Sequence, residues 1–247
     1  MMAYETFSRF YDTLTNNVDY EKRADYFCRL LSPCKKSGSI LLDLACGTGS
    51  MSVEMAKRGF DVIGVDPSAG MLTAAREKIA ESGYDILLLC QSAGELDLYG
   101  TVDCAVCCLD SVNHFDGADE VKKAFSKVSL FMNKGGLFVF DVNTVYKHRG
   151  VLADNTFVYD CEGVYCAWQN SLNPDSSVDI TLDFFAENEN GLWERSGEEF
   201  TEYAYEIDEI KSMLEEAGFS VQGVYDDMTE NPVKSDSERA VFVARKE

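Results

Sequence analysis

An apolar run that ends in a glycine turn constrains this chain more than any other feature. Residues 41–50 read Leu-Leu-Asp-Leu-Ala-Cys-Gly-Thr-Gly-Ser, which is typical of a buried strand, a tight turn and the first turn of a helix. The small residues Ala45, Gly47 and Gly49 let a ligand approach the backbone closely, and a helix that begins at about Ser50 points unpaired N–H groups towards it. The pattern predicts a nucleotide-like ligand at this junction.

Two positions in and beside this stretch argue against a dinucleotide. A dinucleotide fingerprint has a third glycine for close packing of helix against strand, and Ser52 stands at that position. Asp43 precedes Gly47 on the strand, where its carboxylate would repel a pyrophosphate but could hold an ammonium group, directly or through water. We therefore expect a ligand with a positive end.

A second acidic residue indicates that the ligand also contains a sugar. Asp66 ends the apolar run 62–65, and an acidic side chain at the carboxyl end of such a strand can bind both hydroxyls of a ribose. Asp43 and Asp66 together indicate a ligand that consists of an adenosine and an amino-acid tail.

Two motifs in this region resemble the cofactor-binding motifs of class I S-adenosylmethionine-dependent methyltransferases. They are Asp43-x-Ala45-x-Gly47-x-Gly49 and Gly64-Val65-Asp66-Pro67-Ser68. Ala45 stands where the family usually has its first glycine. The resemblance covers residues 1 to about 145 well and 219 to 245 more loosely. It implies S-adenosyl-L-methionine as the cofactor and a doubly wound, mostly parallel seven-stranded α/β sheet of the Rossmann-like methyltransferase fold.

The predicted cofactor-binding residues come from the entry segment, the glycine loop and the ends of the next three strands. They are Tyr11, Asp43, Ala45, Cys46, Gly47, Gly49, Asp66, Pro67, Ser68, Met71, Ser92, Ala93, Leu109 and Asp110. Tyr11 stands between Phe10 and Asp12, an order similar to the entry segment of small-molecule methyltransferases, in which the tyrosine lies over the cofactor. We interpret Cys46 as a wall of the pocket, because nothing nearby in sequence would activate it as a nucleophile.

Ser92 marks a departure from the family. Relatives commonly place an aspartate at this position, where it accepts a hydrogen bond from the adenine amino group. A serine hydroxyl or a backbone carbonyl must therefore serve here.

Strand and helix signals alternate through the first half of the chain and then change. Apolar runs predict buried strands at 41–44, 61–65, 86–90, 102–108 and 137–141, with a helix at about 118–132 that stops at Gly135 and Gly136. From about 154 to 205 alternate residues are apolar, which predicts three or four antiparallel strands. We predict a methyltransferase domain over 1–153 and 206–247, with 154–205 as an inserted β subdomain that is a substrate lid or a dimer contact.

The loop after strand 102–108 holds the candidate base. His114 follows the carboxyl end of that strand, and an unperturbed histidine pKa of about 6.5 suits proton removal near neutral pH. Some sugar-amine N-methyltransferases resemble this chain in having a β insertion and a histidine in this loop, which implies His114 as the base and Tyr11 as its competitor. Packing of the loop is the alternative role for His114. Two roles stay open for Asp110 and Asn113: they orient the substrate or the methionine tail, or they cap the next helix. His148 lies between Lys147 and Arg149, and we interpret it as part of a solvated basic turn.

Composition limits the partners. A net charge of −21 repels a phosphate backbone, so nucleic acid is not expected and a small-molecule acceptor, such as an amine, is favoured. The longest apolar runs are far shorter than the ~20 residues that span a bilayer, and the first residues lack a signal-peptide pattern, so we predict a cytoplasmic protein without membrane contact. Cys104 and Cys107 would face opposite sides of a strand, and no metal site is predicted.

These observations predict an enzyme that moves a methyl group to a small acceptor by in-line displacement. The alternative is a regulatory protein that binds S-adenosylmethionine or S-adenosylhomocysteine without turnover. A regulator needs no acceptor site beside the sulfonium, so the presence of such a site separates the two.

Overall fold

The computed structural model describes residues 7–161, 163–188 and 190–247. Residues 1–6, which the predicted methyltransferase domain includes, lie outside this range. The strands are β1 Ile40–Leu44, β2 Asp61–Asp66, β3 Ile86–Cys90, β4 Val102–Cys107, β5 Met132–Asn143, β6 Thr156–Cys161, β7 Val164–Leu172, β8 Val178–Glu187, β9 Trp193–Glu202, β10 Phe219–Asp226 and β11 Arg239–Lys246. The helices are α1 Tyr11–Leu14, α2 Tyr20–Leu31, α3 Ser50–Lys57, α4 Ala69–Ser82, α5 Gly117–Phe131, α6 Val145–Lys147 and α7 Ile207–Glu216.

Seven strands form the main sheet in the order β10-β11-β5-β4-β1-β2-β3. They are parallel except that β11 runs antiparallel to both β5 and β10. The chain leaves β1 towards β2 and β3, and then crosses back to β4, so the direction of winding reverses between β1 and β4. Such a switch point is where open α/β sheets bind ligands. The predicted mostly parallel seven-stranded sheet is confirmed.

Apolar side chains pack against both faces of this sheet because successive residues of a strand point to opposite sides. On β5, Phe138 and Phe140 pack with α5 and α7, while Leu137 and Val139 pack with α2 and α3. On β4, Cys107 packs on the same face as Phe138 and Phe140, and Cys104 packs on the face of Leu137 and Val139. The two thiols therefore lie on opposite faces, as predicted.

Two details of the main sheet differ from the sequence prediction. The prediction that 86–90 is a buried strand was wrong in its burial, because β3 is the last strand of the sheet and Leu87 is 53% exposed. The helix predicted at about 118–132 is present as α5, but the glycine pair does not end it. α5 ends at Phe131 and β5 begins directly at Met132. Gly136 lies inside that strand, where a Cβ atom would come within 2.6 Å of the Asp103 carbonyl.

A second sheet consists of four antiparallel strands in the order β6-β7-β8-β9. It spans Thr156–Glu202, within the predicted insertion. Its inner face packs against the entry segment, where the ring of Phe184 stacks on Phe10 at 5.1 Å and on Phe7 at 6.0 Å between centroids. The division into two domains and the lid or dimer role stay predictions.

In the described part of the chain, no helix has both the length and the apolar character that a membrane crossing requires. The cytoplasmic location stays a prediction.

Candidate active site

A cleft of about 410 Å³ opens at the carboxyl edge of the main sheet. Nine of the predicted cofactor-binding residues line it: Tyr11, Ala45, Gly47, Asp66, Pro67, Met71, Ser92, Ala93 and Leu109. A smaller recess of about 30 Å³ shares Tyr11, Ala45, Gly47 and Leu109 and adds Asp43 and Cys46. Gly49, Ser68 and Asp110 do not line either space. The main sheet thus brings most of the predicted residues together.

Asp66 holds the glycine loop and the start of α4 in place. Its Oδ2 accepts a hydrogen bond from the Gly47 backbone N–H at 2.9 Å, and its Oδ1 accepts one from the Ser68 N–H at 2.9 Å. The Ser68 hydroxyl in turn accepts from the Met71 N–H, which makes Ser68 the N-cap of α4. Burial raises the pKa of Asp66. The same carboxylate lines the cleft, where it can meet a sugar.

Gly47 and Gly49 take up the left-handed backbone that the turn requires, with φ of 53° and 75°. Gly49 is also the N-cap of α3, and a Cβ atom there would approach the Ala75 Cβ to 3.1 Å. Gly49 therefore acts on the packing of the loop and not on the cleft surface.

Asp43 lies at the recess, 1% exposed. The Ser52 hydroxyl donates a 2.5 Å hydrogen bond to its Oδ2. Burial raises the pKa of Asp43 to about 7, with a smaller contribution from the nearby Asp66.

The entry segment is tied to the glycine loop by Asp12. Thr48 donates from its hydroxyl to Asp12 Oδ1 at 2.7 Å, and Lys78 Nζ lies 2.8 Å from Asp12 Oδ2. Next to Asp12, Tyr11 lines both the cleft and the recess.

At the other end of the cleft, the Ser92 hydroxyl donates to Glu95 Oε2 at 3.2 Å. Glu120 also lines this end, and its carboxylate lies against Gly94. Sequence reasoning missed Glu120, because it belongs to α5 and no cofactor motif includes that helix. It supplies a carboxylate near the position where the family's aspartate is absent.

The floor of the cleft rests on a buried ionic cluster. Arg239 pairs with Asp110 at 2.9 Å and with Asp141 at 3.2 Å, and Arg23 pairs with Asp141 at 2.9 Å. Burial acts to raise the pKa of Asp110, but Arg239, Lys147 and His114 outweigh it and hold the pKa below its usual value. Asp110 is therefore ionised behind the floor.

Asn113 has a structural role. Its side chain donates to the Asn143 and Tyr203 carbonyls and accepts from the Asn143 N–H. Neither Asn113 nor Asp110 caps α5 through a side-chain hydrogen bond, so the capping alternative does not hold.

His114 lines the cleft and meets two carboxyl groups with one nitrogen. Its Nε2 lies 3.5 Å from Glu202 Oε1 and 3.9 Å from Asp110 Oδ2. The ring lies 5.3 Å from that of Phe200. Glu202 and Phe200 both come from β9, the last strand of the inserted sheet.

Sequence reasoning missed Glu202 and misplaced His148. His148 is 0% exposed, so the interpretation as a solvated basic turn was wrong. It packs beneath the inserted sheet, with Nε2 at 3.7 Å from Glu202 Oε2. The available signal was that Glu202 shares one face of a strand with Phe200, two residues before it.

Asp110, His114 and Glu202 each present one oxygen or nitrogen, all within 4.8 Å of one another. That spacing would suit a small cation. However, both Asp110 oxygens already accept hydrogen bonds or ion pairs, from Asn143 at 2.6 Å and from Arg239 at 2.9 Å. The guanidinium beside them opposes a second positive charge, which argues against a cation at this set. The prediction of no metal stays a prediction.

Comparison with known proteins agrees with this geometry. A family model described as a methyltransferase domain matches residues 41–136. A putative methyltransferase of Geobacillus sp. (strain WCH70) is 34% identical over 247 residues, which cover 99% of this chain and 100% of the relative. A glycine/sarcosine N-methyltransferase of Halorhodospira halochloris is 26% identical over 244 residues, 96% of this chain and 87% of the relative.

A solved structure extends the agreement to the whole fold. The crystal structure of an S-adenosylmethionine-dependent methyltransferase from Clostridium acetobutylicum ATCC 824 superposes with a TM-score of 0.88 at 31% identity and covers 98% of each chain. The residues fit this cofactor, since the cleft offers close backbone approach at Gly47, a carboxylate at Asp66 and an acidic recess at Asp43. The chain therefore belongs to the S-adenosylmethionine-dependent methyltransferases, the family that its two motifs resemble, and S-adenosyl-L-methionine is its cofactor.

Proposed function

We propose that this enzyme methylates the nitrogen of a small-molecule amine and that His114 removes the proton that leaves the amine. The observation that carries the proposal is the position of His114 at the cleft, with Nε2 facing Glu202 and Asp110. An ionised carboxyl such as Asp110 stabilises the imidazolium that forms when the ring takes a proton.

The charges on the cleft wall support a cationic acceptor. Asp116 lines the cleft in addition to the cofactor-binding carboxyls of Asp66 and Glu120, and the described lining contains no lysine or arginine. Such a wall favours an ammonium group over a carboxylate or phosphate. The glycine/sarcosine N-methyltransferase relative, by its name, acts on an amine.

The proposed cofactor contacts follow from the placement of the residues. Asp66 binds the ribose hydroxyls, and the recess at Asp43 and Cys46 takes the amino-acid tail. Ser92 and Ala93 meet the adenine, with Glu120 beside them. The remaining predicted residues act as walls or hold the loops: Tyr11, Ala45, Gly47, Gly49, Pro67, Ser68, Met71, Leu109 and Asp110.

Chemistry at the nitrogen requires a base. When bound, S-adenosylmethionine supplies a methyl group already activated by the sulfonium charge. An ammonium nitrogen has no lone pair, so one N–H bond must break first, with its electrons staying on nitrogen and its proton passing to the imidazole. The chain's further contribution is to align the acceptor and to exclude water from the cleft.

The first experiment is an acceptor screen that detects formation of S-adenosylhomocysteine. Small amines, amino sugars, alcohols and carboxylates are compared at equal concentration, with thermal-shift measurements in the presence of the product cofactor as a binding check. Turnover of an amine supports the proposal. Turnover confined to alcohols or carboxylates would contradict it.

The second experiment is His114→Asn. Cofactor affinity should stay nearly unchanged, while kcat at neutral pH falls about 10²–10⁴-fold, which is the usual contribution of a general base to the rate. Part of the rate should return at high pH, where the free amine needs no base. Tyr11→Phe is the companion variant, because the Tyr11 hydroxyl competes for the role. A His114→Asn enzyme with full rate and an unaltered pH profile would remove His114 from the mechanism.

A further inference from the structure

Residues of the inserted sheet lie next to both ring nitrogens of His148. The Nδ1 atom of His148 lies 3.0 Å from the Ser176 carbonyl oxygen, in the turn between β7 and β8. The Nε2 atom faces Glu202 Oε2 at 3.7 Å, at the end of β9. His148 itself comes from the segment after β5 and is fully buried.

The hydrogen-bond partners determine where the protons lie. A carbonyl oxygen only accepts, so Nδ1 of His148 must carry the hydrogen that points to Ser176. In a neutral imidazole the other nitrogen then holds a lone pair. Within the described part of the chain, this Nε2 atom is buried and has no hydrogen-bond partner. A buried polar atom without a hydrogen-bond partner costs about 1–3 kcal/mol. The group nearest to Nε2 is therefore the one to consider as its partner.

That neighbour is the Glu202 carboxyl, 1% exposed. A lone pair on Nε2 and an ionised oxygen 3.7 Å away would repel each other, whereas one proton between them makes the contact attractive. The pair therefore holds one proton on either atom. Burial decides which atom, because it raises the pKa of Glu202 and lowers the pKa of His148 to about 4. Both shifts favour the proton on the carboxyl, and among the described residues no arginine or lysine forms an ion pair with Glu202 that would hold it ionised.

We propose that Glu202 is a neutral carboxylic acid that donates its proton to Nε2 of His148 and accepts from the Nε2–H of His114, and so orients His114 for proton removal. This inference rests on the proposed function in its last step. Glu202 is then a positioning residue, and the inserted sheet takes part in methyl transfer through it.

The surrounding groups agree with a neutral Glu202 beside an ionised Asp110. Asn143 Nδ2 donates to Asp110 Oδ2 at 2.6 Å and to Glu202 Oε2 at 3.1 Å, and a carboxylic hydroxyl oxygen can accept while it donates. Lys147 Nζ donates to Asn143 Oδ1 at 2.9 Å, which places its charge near the cluster. Arg239 holds Asp110 ionised but is not paired with Glu202.

These two carboxyl groups have different roles towards His114. Asp110 is charged and stabilises the imidazolium. Glu202 fixes the orientation of the His114 ring through its contact with Nε2. Environments that push two neighbouring carboxyl groups to opposite protonation states are a recurring feature of acid–base sites.

The direct test is spectroscopic and needs no acceptor. The chain has two histidines, so nitrogen NMR of ¹⁵N-histidine-labelled protein reports both rings separately. At neutral pH, His148 should be neutral, with hydrogen on Nδ1 and a hydrogen-bonded, unprotonated Nε2. Infrared spectra of the wild type should contain the carbonyl stretch of a buried protonated carboxyl, and Glu202→Gln should lack it. An imidazolium signal for His148, or no such carboxyl band, would overturn the shared proton.

The kinetic test compares Glu202→Gln with Glu202→Leu. Glutamine keeps one N–H donor for His148 and one carbonyl acceptor for His114, so kcat should stay within about threefold of wild type. Leucine removes both, and kcat should fall about 10–100-fold, in line with the cost of misplacing a catalytic group, with KM for the cofactor unchanged. Glu199→Gln, at an exposed position of the same strand, is the matched control.

The outcomes separate this inference from the proposed function. Equal losses in Glu202→Gln and Glu202→Leu would mean that Glu202 acts as a charge and would overturn the neutral-acid assignment. If Glu202→Leu fails to fold, Glu202→Gln and the two spectra still decide it. If His114→Asn keeps full rate while the spectra show the shared proton, the base role fails and the Glu202–His148 pair stands.

Discussion

The Ser52 hydroxyl donates a 2.5 Å hydrogen bond to Asp43, from the first turn of the glycine-loop helix back to the end of β1. A dinucleotide-binding chain has glycine at the position of Ser52. Here the serine partners a carboxyl group that is almost fully buried. The contact therefore links the feature that excludes a dinucleotide to the one that favours a cationic ligand.

Asp43→Asn should change how stability depends on pH. The folded-state pKa of Asp43 is raised to about 7 from an ordinary value of 3.8. Between these values the folded protein binds more protons than the unfolded chain, so Asp43 lowers stability as pH rises from about 4 to about 7. Asparagine removes this dependence and can still accept from Ser52.

Denaturant unfolding without cofactor, at several pH values, measures the effect. The variant should gain stability relative to wild type as pH rises through that window. Asp85→Asn, at an exposed position, is the control and should show no such trend. A difference that is the same at every pH would mean that Asp43 titrates normally.

Asp66→Ala should weaken binding of S-adenosylmethionine and S-adenosylhomocysteine alike. The loss of charge-assisted hydrogen bonds to a ribose should cost on the order of 1.5–3 kcal/mol, or roughly ten- to a hundredfold in affinity. Calorimetry with S-adenosylhomocysteine measures this, and Asp61→Ala, at the exposed start of the same strand, should bind normally. If the wild type bound NAD in preference, the assigned ligand site would be wrong.

Arg239→Met should destabilise the protein by about 3–5 kcal/mol, the usual cost of breaking a buried pair by removing one partner. It leaves Asp110 and Asp141 without the cation that both contact. Denaturant unfolding at neutral pH checks the prediction. Arg245→Met on the same strand lies outside this ionic cluster and should change stability by only about 0.5 kcal/mol. Similar small effects from both substitutions would show that Arg239 is dispensable.

If the inserted sheet is a substrate lid, hydrogen exchange in residues 154–205 should respond to the acceptor. S-adenosylhomocysteine alone should leave exchange there largely unchanged, because the proposed cofactor contacts lie on the main domain. Addition of an acceptor should slow exchange in β8 and β9, which carry Phe184 and Phe200. Equal exchange with and without acceptor would leave the sheet a scaffolding or dimer role, and the protomer mass in solution would then test the dimer.

Local patterns predicted much of the cofactor site. Gly47, Gly49 and Asp66 act within one strand–turn–helix unit and its neighbouring strand, and the backbone requirements of that unit are visible in a short stretch of sequence. The helix cap at Ser68 and the four-stranded insertion were predictable for the same reason, since capping and two-residue alternation are local signals.

The floor of the cleft was not predictable in this way. Glu202, Arg239 and the pair Asn143 and His148 come from three separate segments, and each reads locally as a surface polar residue. Only the fold brings them together, when β9 returns over the carboxyl edge of β5 and β11 pairs with β5. Burial in common then forces them to share charges and hydrogen bonds.

Residues close together in the chain were enough to indicate the ligand class, the alternation of strands and helices, and the place of His114 at a strand end. The tertiary structure decided that β3 is an exposed edge, that His148 is buried and that Glu202 faces His114. These are contacts between distant segments, whose environments exist only once the inserted sheet packs on the main domain.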